Sequence, residues 1–114
     1  MKILNITQNT VIAESAETAD TILSRLVGLL GRDDLPVGRG LVITQARSIH
    51  MFFMRFGIDV IFADKRHVVV GLVENIRPFR MSPYYWRASY CIELPSGTIA
   101  ATRTQKGDTL KMEG

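Results

Sequence analysis

Residues Ile58 to Val73 read IDVIFADKRHVVVGLV, and this stretch decides the fold class. Two apolar, β-branched runs flank the polar turn signal Ala63-Asp64-Lys65-Arg66, which is the pattern of two strands joined by a short connection. Both runs carry apolar residues at consecutive positions. Val68, Val69 and Val70 form one such run, and upstream Met51, Phe52, Phe53 and Met54 form another. Strands of that kind are covered on both faces.

Working outward, the same texture recurs. LVIT (41–44), SIHMFFM (48–54), ASYCIEL (88–94) and DTLKM (108–112) are short strand-like runs separated by turn chemistry. At the start, KILNI and TVIA flank Gln8-Asn9 and read as a hairpin. The exception is ETADTILSRLVGLLGR (17–32), where Ile22, Leu26, Leu29 and Leu30 fall on one helical face. Thr18 or Ser15 is placed to cap that helix, Asp20 to sit in its first turn, and Gly31 to end it. NIRPFRMSPYYWR (75–87) reads as a long loop or an irregular edge, and PSGTIAATRTQKGD (95–108) as a turn, at most a short helix, and a second turn. The expectation is a mainly β fold, a compact sandwich or partly open barrel of short strands, with one α-helix in the N-terminal half.

The chain has 114 residues, 46% of them hydrophobic and 22% charged, which suits a single globular domain over 1–114. One cysteine excludes an intramolecular disulfide framework, and two histidines leave little for a multi-histidine metal site, so no metal or cofactor is expected. No apolar run reaches the length of a membrane span, and Met1 to Asn9 lacks the apolar core of a signal peptide. A cytoplasmic protein that avoids the membrane is the expectation.

Charge is uneven. Ten of the 14 basic residues are arginine, and the net charge is +3. From Arg39 to Tyr90 the bases Arg39, Arg47, Arg55, Lys65, Arg66, Arg77, Arg80 and Arg87 face only Asp59, Asp64 and Glu74. An excess of that sign attracts anions, and arginine forks suit carboxylate and phosphate.

Three residues are candidates for catalysis. Asp59 interrupts an apolar strand and shares a face with Ile61 and Ala63 by period-two alternation. If that face is covered, its carboxylate needs a partner: a site, an arginine such as Arg25, Arg47 or Arg55, or loop backbone N–H groups. Glu93 repeats the pattern between Ile92 and Leu94, on the face of Cys91. Two carboxylates in one pocket would drive one pKa up, as general acid–base chemistry requires. His50 lies on a strand and is a candidate base, or one ligand of a metal with the two carboxylates. His67 begins a strand beside two bases and is expected at the surface. Cys91 reads as a small buried hydrophobe. Motifs with fixed spacing, such as HExxH, GxSxG or a glycine-rich phosphate loop, are missing.

The arginine–aromatic stretch Arg77, Phe79, Arg80, Tyr84, Tyr85, Trp86, Arg87 admits two uses. Guanidinium and aromatic planes stack on single-stranded nucleic acid, and they also pin loops onto β surfaces. No RNP-like, KH-like or zinc-knuckle signature accompanies it.

Taken in order, several segments resemble those of the domain-of-unknown-function 192 family. They are Arg25 with Gly28-Leu29-Leu30 and Arg32, Gly40-Leu41, SIHMFFMRFGIDVIFAD from Ser48 to Asp64, Arg77-Pro78-Phe79-Arg80, IELPSG from Ile92 to Gly97, and Gly107-Asp108. The resemblance covers residues 10 to 112. It implies a small, mainly β domain with one helix and no established activity. Leu30 stands where methionine is usual, Gly57 where proline is frequent, Phe79 for tryptophan and Ser96 for alanine. The favoured function is a binding module, with Arg25, Arg47, Arg55, Arg77 and Arg80 lining a pocket or surface for a small anionic ligand or a partner protein. The alternatives are a hydrolase-like enzyme using Asp59, Glu93 and His50, with or without a metal, and weak nucleic-acid binding through the Arg77–Arg87 loop. On this reading nucleic acid is not the expected partner.

Overall fold

In a computed structural model of the chain, which describes residues 1–19, 35–49 and 56–114, the strand-like runs other than SIHMFFM become strands. Along the chain they are β1 (Lys2–Asn5), β2 (Thr10–Ala13), β3 (Ser15–Ala19), β4 (Arg39–Thr44), β5 (Ile58–Ala63), β6 (Val69–Ile76), β7 (Tyr90–Pro95) and β8 (Leu110–Glu113). The helix Thr98–Thr102, here α1, lies between β7 and β8. Two sheets result, one ordered β2-β1-β8 and one ordered β3-β4-β7-β5-β6.

Alternation explains how the sheets pack. In β5, Ile58, Val60 and Phe62 join one apolar cluster, while Ile61 and Ala63 join another. β7 divides the same way, with Cys91 on the first face and Tyr90, Ile92 and Leu94 on the second. The second cluster is the layer between the sheets, where Ile3, Ile12 and Leu110 of the small sheet meet Val42, Ile61 and Ile92 of the large one, with Ile99 of α1 at its edge. The first covers the outer face of the large sheet with Leu35, Ala46, Ala88 and the half-buried Ile49, Phe56 and Tyr85. Coverage on both faces is why the central strands read as continuous apolar runs.

One boundary differs from the sequence reading. Glu17, Thr18 and Ala19, read as the start of a helix with its caps at Ser15 or Thr18, are the end of β3. β3 runs parallel to β4, Ser15 opposite Arg39 through Ala19 opposite Ile43. That ladder is a long-range pairing, and it overrides the local helix preference of alanine and glutamate. The helical pattern from Asp20 to Arg32 lies outside the described residues, as does most of SIHMFFM.

Gly71 shows how closely the outer face is packed. It pairs with Phe62, and the Tyr85 ring lies over both, its centroid 4.6 Å from that of Phe62. A Cβ on Gly71 would enter the Tyr85 ring. Gly71→Ala is expected to lower stability by about 1–3 kcal/mol through overpacking. Urea unfolding measures this, and an alanine variant as stable as the parent refutes the packing.

Candidate functional site

Asp59 sits where the sheet turns into α1. It is fully buried on the inter-sheet face, paired opposite Leu94. One carboxylate oxygen accepts the backbone N–H of Asn75 at 2.8 Å. The other accepts those of Gly97 at 3.1 Å and Ile99 at 2.9 Å. Each donor has a local reason to be free. The β5–β6 register shifts between Ile58 and Val60, which takes Asn75, at φ 48°, out of the ladder. Gly97 is the N-cap of α1 and has no side chain to cap it. Asp59 therefore supplies the acceptor that the cap position lacks. Ser96 Oγ donates to Asn75 Oδ1 at 2.9 Å and ties the same two turns together.

Glu93 lies on the opposite face. It pairs opposite Leu41 of β4 and Val60 of β5 and points with them into the outer apolar cluster. It is 5% exposed. Among the described residues no hydrogen bond or ion pair reaches its carboxyl, and burial pushes its pKa up to about 8. A carboxyl of this kind is mostly protonated at neutral pH and can donate a proton. Asp59 and Glu93 thus face away from each other across one sheet and share no cleft. His50, Arg25 and Arg55 lie outside the described residues.

Two polar clusters have weaker signals in the sequence. Asn5, fully buried, donates to Asp108 Oδ2 at 2.9 Å and to Thr104 Oγ1 at 3.2 Å. Asp108 also accepts from Gln105 N and Gln8 Nε2. Burial opposes the Asp108 charge, but the hydrogen bonds from Asn5, Gln105 and Gln8 prevail and hold the carboxyl below its usual range. The signal was Asn5 itself, a polar residue sharing the Ile3 face. His67 is exposed as expected, with Nδ1 2.7 Å from Tyr90 Oη. Burial, and then the Asp64 charge, push the Tyr90 pKa upward. Among the described residues no three His, Cys, Asp or Glu side chains are grouped to hold a metal ion.

The arginine–aromatic loop is pinned from beneath. Ser82 N donates to Ile49 O, and Ser82 Oγ accepts from Ile49 N. Tyr85 N donates to Arg47 O at 2.7 Å, and Ala88 N to Tyr85 O. Ser82 and Ala88 are buried and Tyr85 half-buried, so the residues between them face outward. Phe79, Met81, Tyr84 and Trp86 are each more than 60% exposed, half of all the exposed large hydrophobic side chains among the described residues. Arg47, Arg77, Arg80 and Arg87 are exposed as well, and the Arg87 guanidinium lies 4.9 Å from the Trp86 ring centre. Residues 76 to 92 contain no aspartate or glutamate.

The molecule is thus a two-sheet β domain whose short helix is capped by a buried strand carboxylate and whose outer loop carries exposed rings between arginines. The chain belongs to the DUF192 family, described as uncharacterized ACR, whose model matches residues 3–112. It is 34% identical over 115 residues to a UPF0127 protein of Thermococcus sibiricus, covering 97% of this chain and 74% of that one. Its fold matches a crystal structure of a protein of unknown function from Novosphingobium aromaticivorans, at a TM-score of 0.82 and 21% identity, over 97% of this chain and 82% of that one. It also matches a Sinorhizobium meliloti protein described as a proposed transcription regulator, at a TM-score of 0.78 and 19% identity, over 96% and 89%. Among the described residues no helix is long and apolar enough to cross a membrane.

Proposed function

We propose that this domain is a binding module, and that its binding surface is the loop from Arg77 to Arg87 with Arg47 beside it. One observation carries the reading: Phe79, Met81, Tyr84 and Trp86 are exposed together, between arginines, on a backbone fixed at Ser82, Tyr85 and Ala88. Aromatic residues, methionine and arginine are the side chains enriched at protein interfaces, and tryptophan, tyrosine and arginine dominate hot spots. A fixed loop loses little entropy on binding. The stretch has positive charge and no acid, so the complementary partner is a protein segment in which carboxylates alternate with apolar side chains.

The alternatives fare less well on the same geometry. A hydrolase built on Asp59 and Glu93 would need them in one cleft, and Asp59 already accepts three backbone N–H groups. Single-stranded nucleic acid would use the same rings, and the Sinorhizobium meliloti neighbour's description makes it worth testing. The net charge of +3 and the single lysine between Arg39 and Tyr90 favour a protein over a polyphosphate track.

Selection of a displayed random peptide library on the immobilised domain tests the proposal. Enriched peptides are expected to combine Asp or Glu with large apolar residues, and Arg80→Ala with Arg87→Ala to abolish their capture. Trp86 is the only tryptophan and is 68% exposed, so bound peptide is expected to shift its emission. Enrichment of basic peptides, or no enrichment, overturns the reading. Binding of a single-stranded oligonucleotide that falls steeply with salt replaces it with the nucleic-acid one.

A further inference from the structure

Phe79 is disfavoured twice where it stands. Arg80 N donates to Arg77 O at 3.2 Å, closing a tight turn with Pro78 and Phe79 at its centre. Phe79 has φ 65°. Proline followed by a left-handed residue is the type II arrangement, whose second central position calls for glycine or asparagine. A bulky side chain with a Cβ is a true outlier there and destabilises the turn. Burial does not compensate, because Phe79 is 71% exposed. The ring neither fits its backbone nor joins either apolar cluster.

Backbone strain held at an exposed, charged tip is where a fold stores specificity for a ligand. We infer that Phe79 is the anchor of the binding surface. This rests on the binding-module reading and names the residue and chemistry that give it specificity. The turn holds the ring outward, with Arg77 two positions before it and Arg80 next to it along the chain. An apolar side chain of the partner packs on the ring, and flanking carboxylates of the same segment meet the two guanidinium groups. Desolvation of the ring by the partner strengthens those ion pairs. Because the turn is already formed, the anchor needs no ordering when the partner arrives.

The inference makes stability and binding change in opposite directions. Asparagine tolerates the left-handed region and suits this turn position. Phe79→Asn is expected to raise the melting temperature by a few degrees and to weaken binding of an acidic–apolar peptide, obtained by the library selection, at least tenfold. Phe79→Trp is expected to restore binding without the gain in melting temperature, since it returns both the ring and the strain. Affinity is read by fluorescence polarisation of the labelled peptide and melting temperature by calorimetry.

If Phe79→Asn binds as the parent does while Arg80→Ala and Arg87→Ala do not, the anchor is elsewhere and only this inference falls. If neither Phe79→Asn nor the arginine variants lose affinity, the surface reading falls with it. A lower melting temperature for Phe79→Asn shows that the ring stabilises the fold and overturns the inference on the other side.

Discussion

Asp59→Ala is expected to lower the unfolding free energy by roughly 4 kcal/mol, since the buried Ile99 N–H left without an acceptor costs about 1–3 kcal/mol and the part-buried N–H groups of Asn75 and Gly97 each lose a hydrogen bond to a charged group. The N–H groups of Asn75, Gly97 and Ile99 all point at this one carboxylate, and all lie where the β6 bulge and the β7–α1 turn converge. A domain of this size is typically stable by about 5–15 kcal/mol, so the variant sits near its unfolding limit. Asp59→Asn separates shape from hydrogen bonding. Its amide keeps the volume, but its one oxygen can serve either Asn75 or the Gly97–Ile99 pair, and its NH₂ then faces a donor. An intermediate loss of roughly 2–3 kcal/mol is expected. Guanidinium unfolding measures both. An alanine variant within about 1 kcal/mol of the parent would show that these bonds do not hold the turns.

Much of this arrangement is legible in the amino-acid sequence, and the reasons differ by element. β5 matches the run 58–63 residue for residue because strand and turn signals coincide at Ala63-Asp64. The short helix between Ser96 and Arg103 was legible from its glycine and proline punctuation. The face of Asp59 was legible, since alternation within one strand needs no partner. Its role was not, because its donors lie at positions 75, 97 and 99, and only the fold brings them together.

The relation between the two carboxylates needed register. Residues directly opposite in an antiparallel pair share a face. Asp59 opposite Leu94 therefore places Glu93, beside Val60, on the other side. A shift of one residue would have put both carboxyls on one face, so nothing short of the pairing decides between a shared pocket and two separate positions. The parallel β3–β4 ladder was hidden for a related reason. Five residues of SAETA carry little strand propensity, and their strand state comes from the β4 backbone beside them. In the arginine loop, composition suggested contact of some kind. Which rings are pinned and which are presented follows from Ser82 and Tyr85 bonding to the segment 45–49, a long-range contact without a sequence pattern.

Glu93 provides the second large effect, as a dependence of stability on pH. Its folded pKa lies near 8, while an unfolded chain returns it to about 4.5. Below pH 4.5 both states hold the proton and the residue contributes no pH dependence. Between those values the unfolded state releases the proton and the folded state keeps it. Stability then falls as pH rises, by about 1.4 kcal/mol per pH unit, and levels off above the folded pKa. Over the full window this amounts to at most about 5 kcal/mol, so the parent protein is expected to be clearly less stable at about pH 8 than at about pH 5. Asp108 has the opposite sign, because its folded pKa is lowered, and it acts only at acid pH, below this window. Glu93→Gln keeps the volume and removes the proton, so its stability is expected to be nearly flat between those two pH values, with the variants diverging as pH rises. The difference between the two curves isolates Glu93 from every other titrating group. A ¹³C-carboxyl titration of the folded parent gives an independent value, expected near 8. Parallel curves for parent and variant, together with an ordinary carboxyl titration, would mean that the Glu93 side chain meets a cation or water in solution. The apolar face between Leu41 and Val60 would then be open rather than sealed.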